Sequence, residues 1–127
     1  MVKAEDKQQK SIVLLVEDDP AVRRSLQLVL QGSGFLVRSH ATGAALLADP
    51  NVGTAQAMVA DYRLPDSDGV RLLQDMQKAG FRGQAILVTG FGSPELEMSA
   101  RAAGYARVLE KPLADRVLRE TMAGLFS

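Results

Sequence analysis

The chain has 127 residues, enough for one domain with its own core. Apolar residues make up 46% and charged residues 24%, which excludes intrinsic disorder and collagen-like repeats. Lys plus Arg number 15 and Asp plus Glu number 15, so no net positive field exists to hold a nucleic-acid backbone, and the absence of cysteine excludes disulfide frameworks, thiolate zinc sites and cysteine nucleophiles.

Residues 1–10 carry Lys3, Glu5, Asp6, Lys7 and Lys10 with almost nothing apolar, and read as a solvated tail before a domain over 11–127. They hold no apolar signal core, and the longest apolar run, Ile12 to Val16, falls far short of the roughly 20 residues of a membrane span. A cytoplasmic location with no membrane contact is the expectation. That first run is rich in β-branched residues and predicts a strand buried on both faces. Asp19 and Pro20 then open a helix, as cap and first residue, whose apolar face is Val22, Leu26, Val29 and Leu30; Gly32 and Gly34 stop it. Phe35 to Val37 predicts a second strand, and Thr42 caps a short helix with Ala45, Leu46 and Leu47. Ala57 to Ala60 predicts a third strand ending at Asp61. A polar loop follows, and Asp68-Gly69 opens a helix with Val70, Leu73, Met76 and Gln77 on one side. Gln84 to Val88 predicts a fourth strand ending at Thr89, and Ser93 caps a helix from Glu95 to Ala103. Arg107 to Leu109 predicts a fifth strand ending near Lys111-Pro112, before a last helix with Val117, Leu118, Thr121, Met122 and Leu125 on one face. Short buried strands alternating with amphipathic helices predict a flavodoxin-like α/β fold. It would be a doubly wound, five-stranded parallel sheet in the order 2-1-3-4-5, flanked by five helices.

In such sheets ligands bind beyond the carboxyl ends of the strands. There the first strand delivers Glu17, Asp18 and Asp19, the third Asp61, the fourth Thr89 and the fifth Lys111. The first and third strands are neighbours in that order, so Asp18 and Asp61 come together with Glu17 beside them. Clustered carboxylates repel and call for a cation, and hard oxygen donors suit Mg²⁺. Lys111 adds an ammonium and Thr89 a hydroxyl. Together they describe a site for a transferring phosphoryl group with Asp61 as the nucleophile. Taken alone, Glu17-Asp18-Asp19 is an acidic turn and cap, and a single Lys before Pro or Thr after a strand is usually structural. His40, the one histidine, follows the second strand and reads as a surface residue away from the crevice; Tyr62 and Phe81 read as packing or rim residues.

Four segments in order then resemble one family. They are Val16 to Pro20, Asp61 to Gly69 (Asp-Tyr-Arg-Leu-Pro-Asp-Ser-Asp-Gly), Val88-Thr89-Gly90 and Glu110-Lys111-Pro112. From about Ser11 to Leu125 the chain resembles the receiver domain of two-component response regulators, the CheY-like family. The resemblance implies that Asp61 is the phosphoacceptor, taking its phosphoryl group from a phosphohistidine on a histidine kinase or histidine phosphotransfer protein. Glu17 and Asp18 look like the acidic pair that holds Mg²⁺. By distance from Arg23, Asp18 matches the direct ligand and Glu17 the outer one, and the backbone carbonyl of Arg63 completes the site. Thr89 looks like the switch hydroxyl and Lys111 like the lysine that pairs with a phosphoryl oxygen. Pro112 matches a proline often preceded by a cis peptide, and Gly69 the glycine that ends the active-site loop.

One position departs from the pattern. Where the family has Tyr or Phe three residues before the lysine, this chain has Val108, and Tyr105 lies on the wrong part of the strand to substitute. The switch is therefore expected to rest on Thr89 and the loop Gly90 to Pro94, with Phe91 as the candidate reporter. The face formed by the fourth helix, fifth strand and fifth helix is expected to change for an unidentified protein partner, with a phosphorylation-dependent dimer as one form. The expectation is a signalling module rather than a turnover enzyme: a stand-alone regulator, a phosphorelay intermediate, or a receiver excised from a larger or hybrid protein. Three rivals stand beside it. A degenerate receiver would bind partners without phosphorylation. A phospho-aspartyl phosphatase would want a second Asp where Arg63 stands. A flavodoxin-like nucleotide binder would want a Gly/Ser/Thr-rich loop where Glu-Asp-Asp-Pro stands.

Overall fold

The structure, a computed structural model, describes residues 10–126. The expected tail therefore lies outside the described residues except for Lys10. Five strands, β1 (Ile12–Val16), β2 (Leu36–His40), β3 (Ala57–Asp61), β4 (Gln84–Thr89) and β5 (Arg107–Glu110), form one parallel sheet in the order β2-β1-β3-β4-β5. Five helices connect and follow them: α1 (Pro20–Gly32), α2 (Gly43–Leu47), α3 (Gly69–Lys78), α4 (Pro94–Ala103) and α5 (Asp115–Phe126). This is the doubly wound order that the alternation predicts.

Two apolar layers sandwich the sheet, and strand alternation sorts the residues between them. Leu14, Val16, Met58, Ala60, Ala85 and Leu87 face α2, α3 and α4, where they meet Leu46, Leu72, Leu73, Met76 and Ala100. Val13, Leu15, Val59, Ile86 and Val88 face α1 and α5, where they meet Leu26, Leu30, Leu118 and Met122. All five residues of β3 are buried, which makes its last residue, Asp61, a carboxylate fixed by the core beneath it.

Local chemistry sets where the helices begin. The carboxylate of Asp19 accepts from the N–H groups of Ala21 and Val22 ahead of Pro20. Asp68 caps α3 through Arg71 N–H, and Ser93 caps α4 through Leu96 N–H. Three details differ from the sequence reading. Strand β2 runs through His40 rather than stopping at Val37, because its register with β1 carries it to the sheet end opposite Val16. The buried stripe of α3 includes Leu72 and leaves Gln77 exposed, where its side-chain N–H donates to the carbonyl of Ala103 on α4 (3.1 Å). Phe81 is wholly core, at 2% exposure.

Candidate functional site

Beyond the carboxyl ends of β1, β3, β4 and β5 lies one crevice that contains Glu17, Asp18, Asp61, Thr89 and Lys111. Lys111 sits between two carboxylates. Its Nζ donates to Glu17 Oε1 at 2.8 Å and to Asp61 Oδ2 at 3.2 Å. Glu17 is buried at 1% exposure and Asp61 at 8%, while Asp18 is exposed at the rim. Each of Glu17, Asp18 and Asp61 offers a carboxylate oxygen, and these oxygens lie within 4.8 Å of one another. Three hard oxygen donors on a partly open face fit Mg²⁺, which keeps several waters and takes one or two carboxylates.

The electrostatics agree with a site short of positive charge. Burial pushes the Glu17 carboxyl above its usual range, and the neighbouring charge of Asp61 adds to that, against the hydrogen bonds from Lys111 and the Asp19 N–H. Burial lowers the Lys111 ammonium, but its hydrogen bond to Glu17 and the charges of Asp61 and Glu17 outweigh this and hold it above its ordinary value. Burial thus dominates at Glu17, while the two carboxylates dominate at Lys111.

The loops around the crevice are tied by backbone. Glu17 N–H donates to His40 C=O (3.0 Å), and Arg23 Nη1 donates to the carbonyls of Glu17 (2.8 Å) and Asp18 (3.5 Å). After β3, Tyr62 N–H donates to Val88 C=O and Gly69 N–H donates back to Tyr62 C=O at 2.7 Å. Arg63 pairs with Asp68 in an isolated antiparallel bridge. Gly69 has no room for a side chain: a Cβ there would lie 2.6 Å from Leu87 Cδ1 and 2.9 Å from the Asp61 carbonyl oxygen. The Lys111–Pro112 peptide is cis.

Thr89 is buried, and its Oγ1 accepts the N–H of Phe91 at 3.1 Å. The Phe91 ring is 72% exposed, with the Arg63 guanidinium carbon 5.0 Å from its centroid. Val108 is half-buried and lines a groove with Gly92, Pro94, Met98 and Glu110.

Four contributors escaped the sequence reading. Arg23 secures the acidic loop, and Asp66 reaches α2. Tyr105 is buried, with its hydroxyl donating to Gly69 C=O at 2.7 Å; burial pushes that phenol well above its usual range. The fourth is a correction. His40 is half-buried, its Nε2 lies 2.7 Å from Asp49 Oδ2, and its carbonyl holds Glu17. Asp49 is buried, yet its carboxyl is held below the usual range because hydrogen bonds from Asn51 N–H, Arg38 and His40 outweigh the burial.

Comparison with known proteins places the chain in a family. The response regulator receiver domain model matches residues 13–123. The transcriptional regulatory protein FixJ of Rhizobium meliloti is 35% identical over 111 residues, covering 87% of this chain and 54% of FixJ. FixJ of Azorhizobium caulinodans is 36% identical over 107 residues, 84% of this chain and 50% of that one. The chain thus spans about half the length of these curated relatives. Among solved structures, a CheY-like receiver domain protein from Methanospirillum hungatei superposes with a TM-score of 0.81 at 29% identity, over 91% of this chain and 93% of its own. The crystal structure of FixJ-N gives 0.77 at 32% identity, over 91% and 92%. Among the described residues no helix is long and apolar enough to cross a membrane. With strand order, family model and solved relatives in agreement, the chain belongs to the response regulator receiver domains, the signalling modules of two-component systems.

Proposed function

We propose that the chain accepts a phosphoryl group on Asp61 from a phosphohistidine of a histidine kinase or histidine phosphotransfer protein. One observation carries this reading: Lys111 spans Glu17 and Asp61, so the strand-end carboxylate is already faced by a cation and flanked by an acidic pair. An Asp61 carboxylate oxygen attacks phosphorus, the P–O bond forms, and the P–N bond to the donor imidazole breaks. The leaving nitrogen keeps the electron pair and is then protonated. Mg²⁺ held by Asp18, Asp61 and the Arg63 carbonyl, with Glu17 behind them, would supply the positive charge that the transferring oxygens need. Lys111 exchanges its carboxylate partner for a phosphoryl oxygen, and the Thr89 hydroxyl donates a hydrogen bond to another.

That last step links the site to its output. Thr89 Oγ1 is the acceptor that holds Phe91 N–H, so turning the hydroxyl toward a phosphoryl group frees the loop Gly90 to Ser93. Phe91 then leaves Arg63 and turns toward the groove beside Val108, where the family's usual aromatic is missing. The face of α4, β5 and α5 changes for a protein partner or a second copy. The likeness to transcriptional regulatory proteins favours a cytoplasmic signalling role with a gene-regulatory output over turnover of a separate substrate. The net charge of zero argues against this domain contacting nucleic acid itself. Val108 alone favours the second reading, a domain that binds partners without phosphorylation.

Incubation with a small acyl phosphate and Mg²⁺, read by intact mass, tests the proposal. Wild type is expected to gain one phosphoryl group and Asp61→Asn none. Equal labelling of the two removes Asp61 from the role, and no labelling of folded wild type favours the binding-only module.

A further inference from the structure

We propose that Asp66 is a positioning residue for the acidic cluster: its carboxylate clamps the loop carrying Asp61 and Arg63 to the start of α2, and so fixes the spacing between the two halves of the site. The inference rests on reading that cluster as a Mg²⁺ site.

Asp66 lies five residues past Asp61, on the exposed crest of the loop. Its Oδ1 accepts the N–H of Gly43 and its Oδ2 the N–H of Ala44, both at 2.9 Å. These two N–H groups, Ala44 foremost, hold the carboxyl below its usual range. The clamp is not the helix's own cap. Thr42 Oγ1 already fills that role by accepting from Ala45 N–H at 3.1 Å, so Asp66 takes the two amides that Thr42 leaves over. Gly43 permits the approach: a Cβ there would sit 3.3 Å from Asp66 Oδ1 and 3.4 Å from Leu72 Cδ1.

The other end of this connection meets Glu17. Strand β2 ends at His40, whose carbonyl accepts Glu17 N–H, and only Ala41 and Thr42 separate His40 from Gly43. A short chain of fixed contacts therefore runs from Glu17 through His40 and the start of α2 to Asp66 and its loop. It bridges the β1 half of the cluster (Glu17 and Asp18) and the β3 half (Asp61 and Arg63). Carboxylates that repel one another drift apart unless something rigid holds them, and metal sites depend on such outer contacts for affinity. By reciprocity, a cation that draws the two halves together must also tighten the clamp.

Calorimetric titration of Mg²⁺ into wild type, Asp66→Ala, Asp66→Asn, Thr42→Ala and Asp18→Ala tests the idea. Asp66→Ala is expected to weaken Mg²⁺ binding on the order of tenfold. Asp66→Asn keeps one acceptor oxygen and recovers part of the loss. Thr42→Ala loosens the same turn without touching the loop and stays within about twofold of wild type. Independently, the amide hydrogens of Gly43 and Ala44 exchange more slowly once Mg²⁺ is added to wild type. Three outcomes overturn the clamp: Asp66→Ala within about twofold of wild type, equal losses in the Ala and Asn variants (an effect of charge alone), or a loss in Thr42→Ala as large as in Asp66→Ala (an effect of helix fraying). If Asp18→Ala abolishes binding while Asp66→Ala does not weaken it, the clamp fails and the metal reading stands. Wild type with no Mg²⁺ binding sinks both.

Discussion

The loop after β3 and the loop after β4 leave the same end of the sheet from neighbouring strands, yet they are held very differently. The β3 loop is fastened by Tyr62 to Val88, by Gly69 to Tyr62, by the Arg63–Asp68 bridge, by Asp66 to α2 and by the buried Tyr105 hydroxyl to Gly69. The β4 loop, before its Ser93 cap, is held by the Thr89 hydroxyl under Phe91 N–H and by an exposed Arg63–Phe91 stack. An exposed cation–π contact contributes about 0.5–1 kcal/mol, and a neutral hydrogen bond about the same to 1.5. The lesson is a division of labour. Asp61 and the Arg63 carbonyl, which the proposed chemistry needs in fixed geometry, begin the fastened loop. The segment proposed to report the event hangs from a hydroxyl that the event itself would claim.

The largest expected effect comes from making one change in both loops. Gly69→Ala forces a Cβ against the Asp61 carbonyl and Leu87. It should cost about 1–3 kcal/mol in urea denaturation, as overpacking does. Gly90→Ala meets nothing within 4 Å and should change stability by under about 0.5 kcal/mol. Similar costs at the two positions would erase the distinction between the loops.

The second effect sharpens the comparison through pH. Burial raises the folded-state pKa of Glu17, so ionising it opposes folding. The stability linked to its proton is full below the unfolded value of about 4.3 and is lost as pH rises through the raised value. Lys111 is raised as well, so its contribution is present below about 10.4 and is lost only as pH climbs through its own higher value. Above its raised value Glu17 is charged and shares the Lys111 ammonium with Asp61. Added Mg²⁺ should therefore stabilise the protein most near neutrality, by about 2.7 kcal/mol at a hundredfold excess over Kd. Thermal melts at pH 7.5 and pH 5, with and without Mg²⁺, check this. A gain in Tm that does not shrink toward pH 5 would remove Glu17 from the group that answers to the metal.

How much of this was legible in the sequence follows from range. Strand ends are a local property, so Glu17, Asp18, Asp61, Thr89 and Lys111 could be placed in one crevice by alternation and strand order alone. Contacts that cross between loops could not. Asp66 reads as a turn residue, and nothing local says that it reaches Gly43, 23 residues away. Tyr105 lies on the wrong part of the strand to replace the missing aromatic, and nothing local says that its hydroxyl reaches Gly69, 36 residues away. His40 is polar on an edge strand, a pattern that reads as surface. Asp49, nine residues on, draws it inward. On α3 the buried residues Gly69, Leu72, Leu73 and Met76 fall at i, i+3, i+4 and i+7, so the helical period did carry Leu72, and Gln77 lies off that stripe and bonds Ala103 instead.

The smallest effect on stability is the most telling about the looser loop. Phe91→Ala removes a ring that is 72% exposed and touches the core nowhere, so the melt and the Mg²⁺ affinity should barely change, by under about 0.5 kcal/mol. A ring that contributes so little to the fold is free to move at little cost. The chain has four phenylalanines, so fluorinated phenylalanine gives four resonances, and Phe91→Leu identifies the one of interest. Phe35 and Phe126 pack edge to face with each other, and Phe81 is buried, so all three should stay still. On acyl phosphate and Mg²⁺ the Phe91 signal alone should shift and lose its solvent contact as the ring settles beside Val108. Labelled protein in which Phe91 keeps its position and exposure would end its role as reporter and move the switch to Thr89 and its backbone alone.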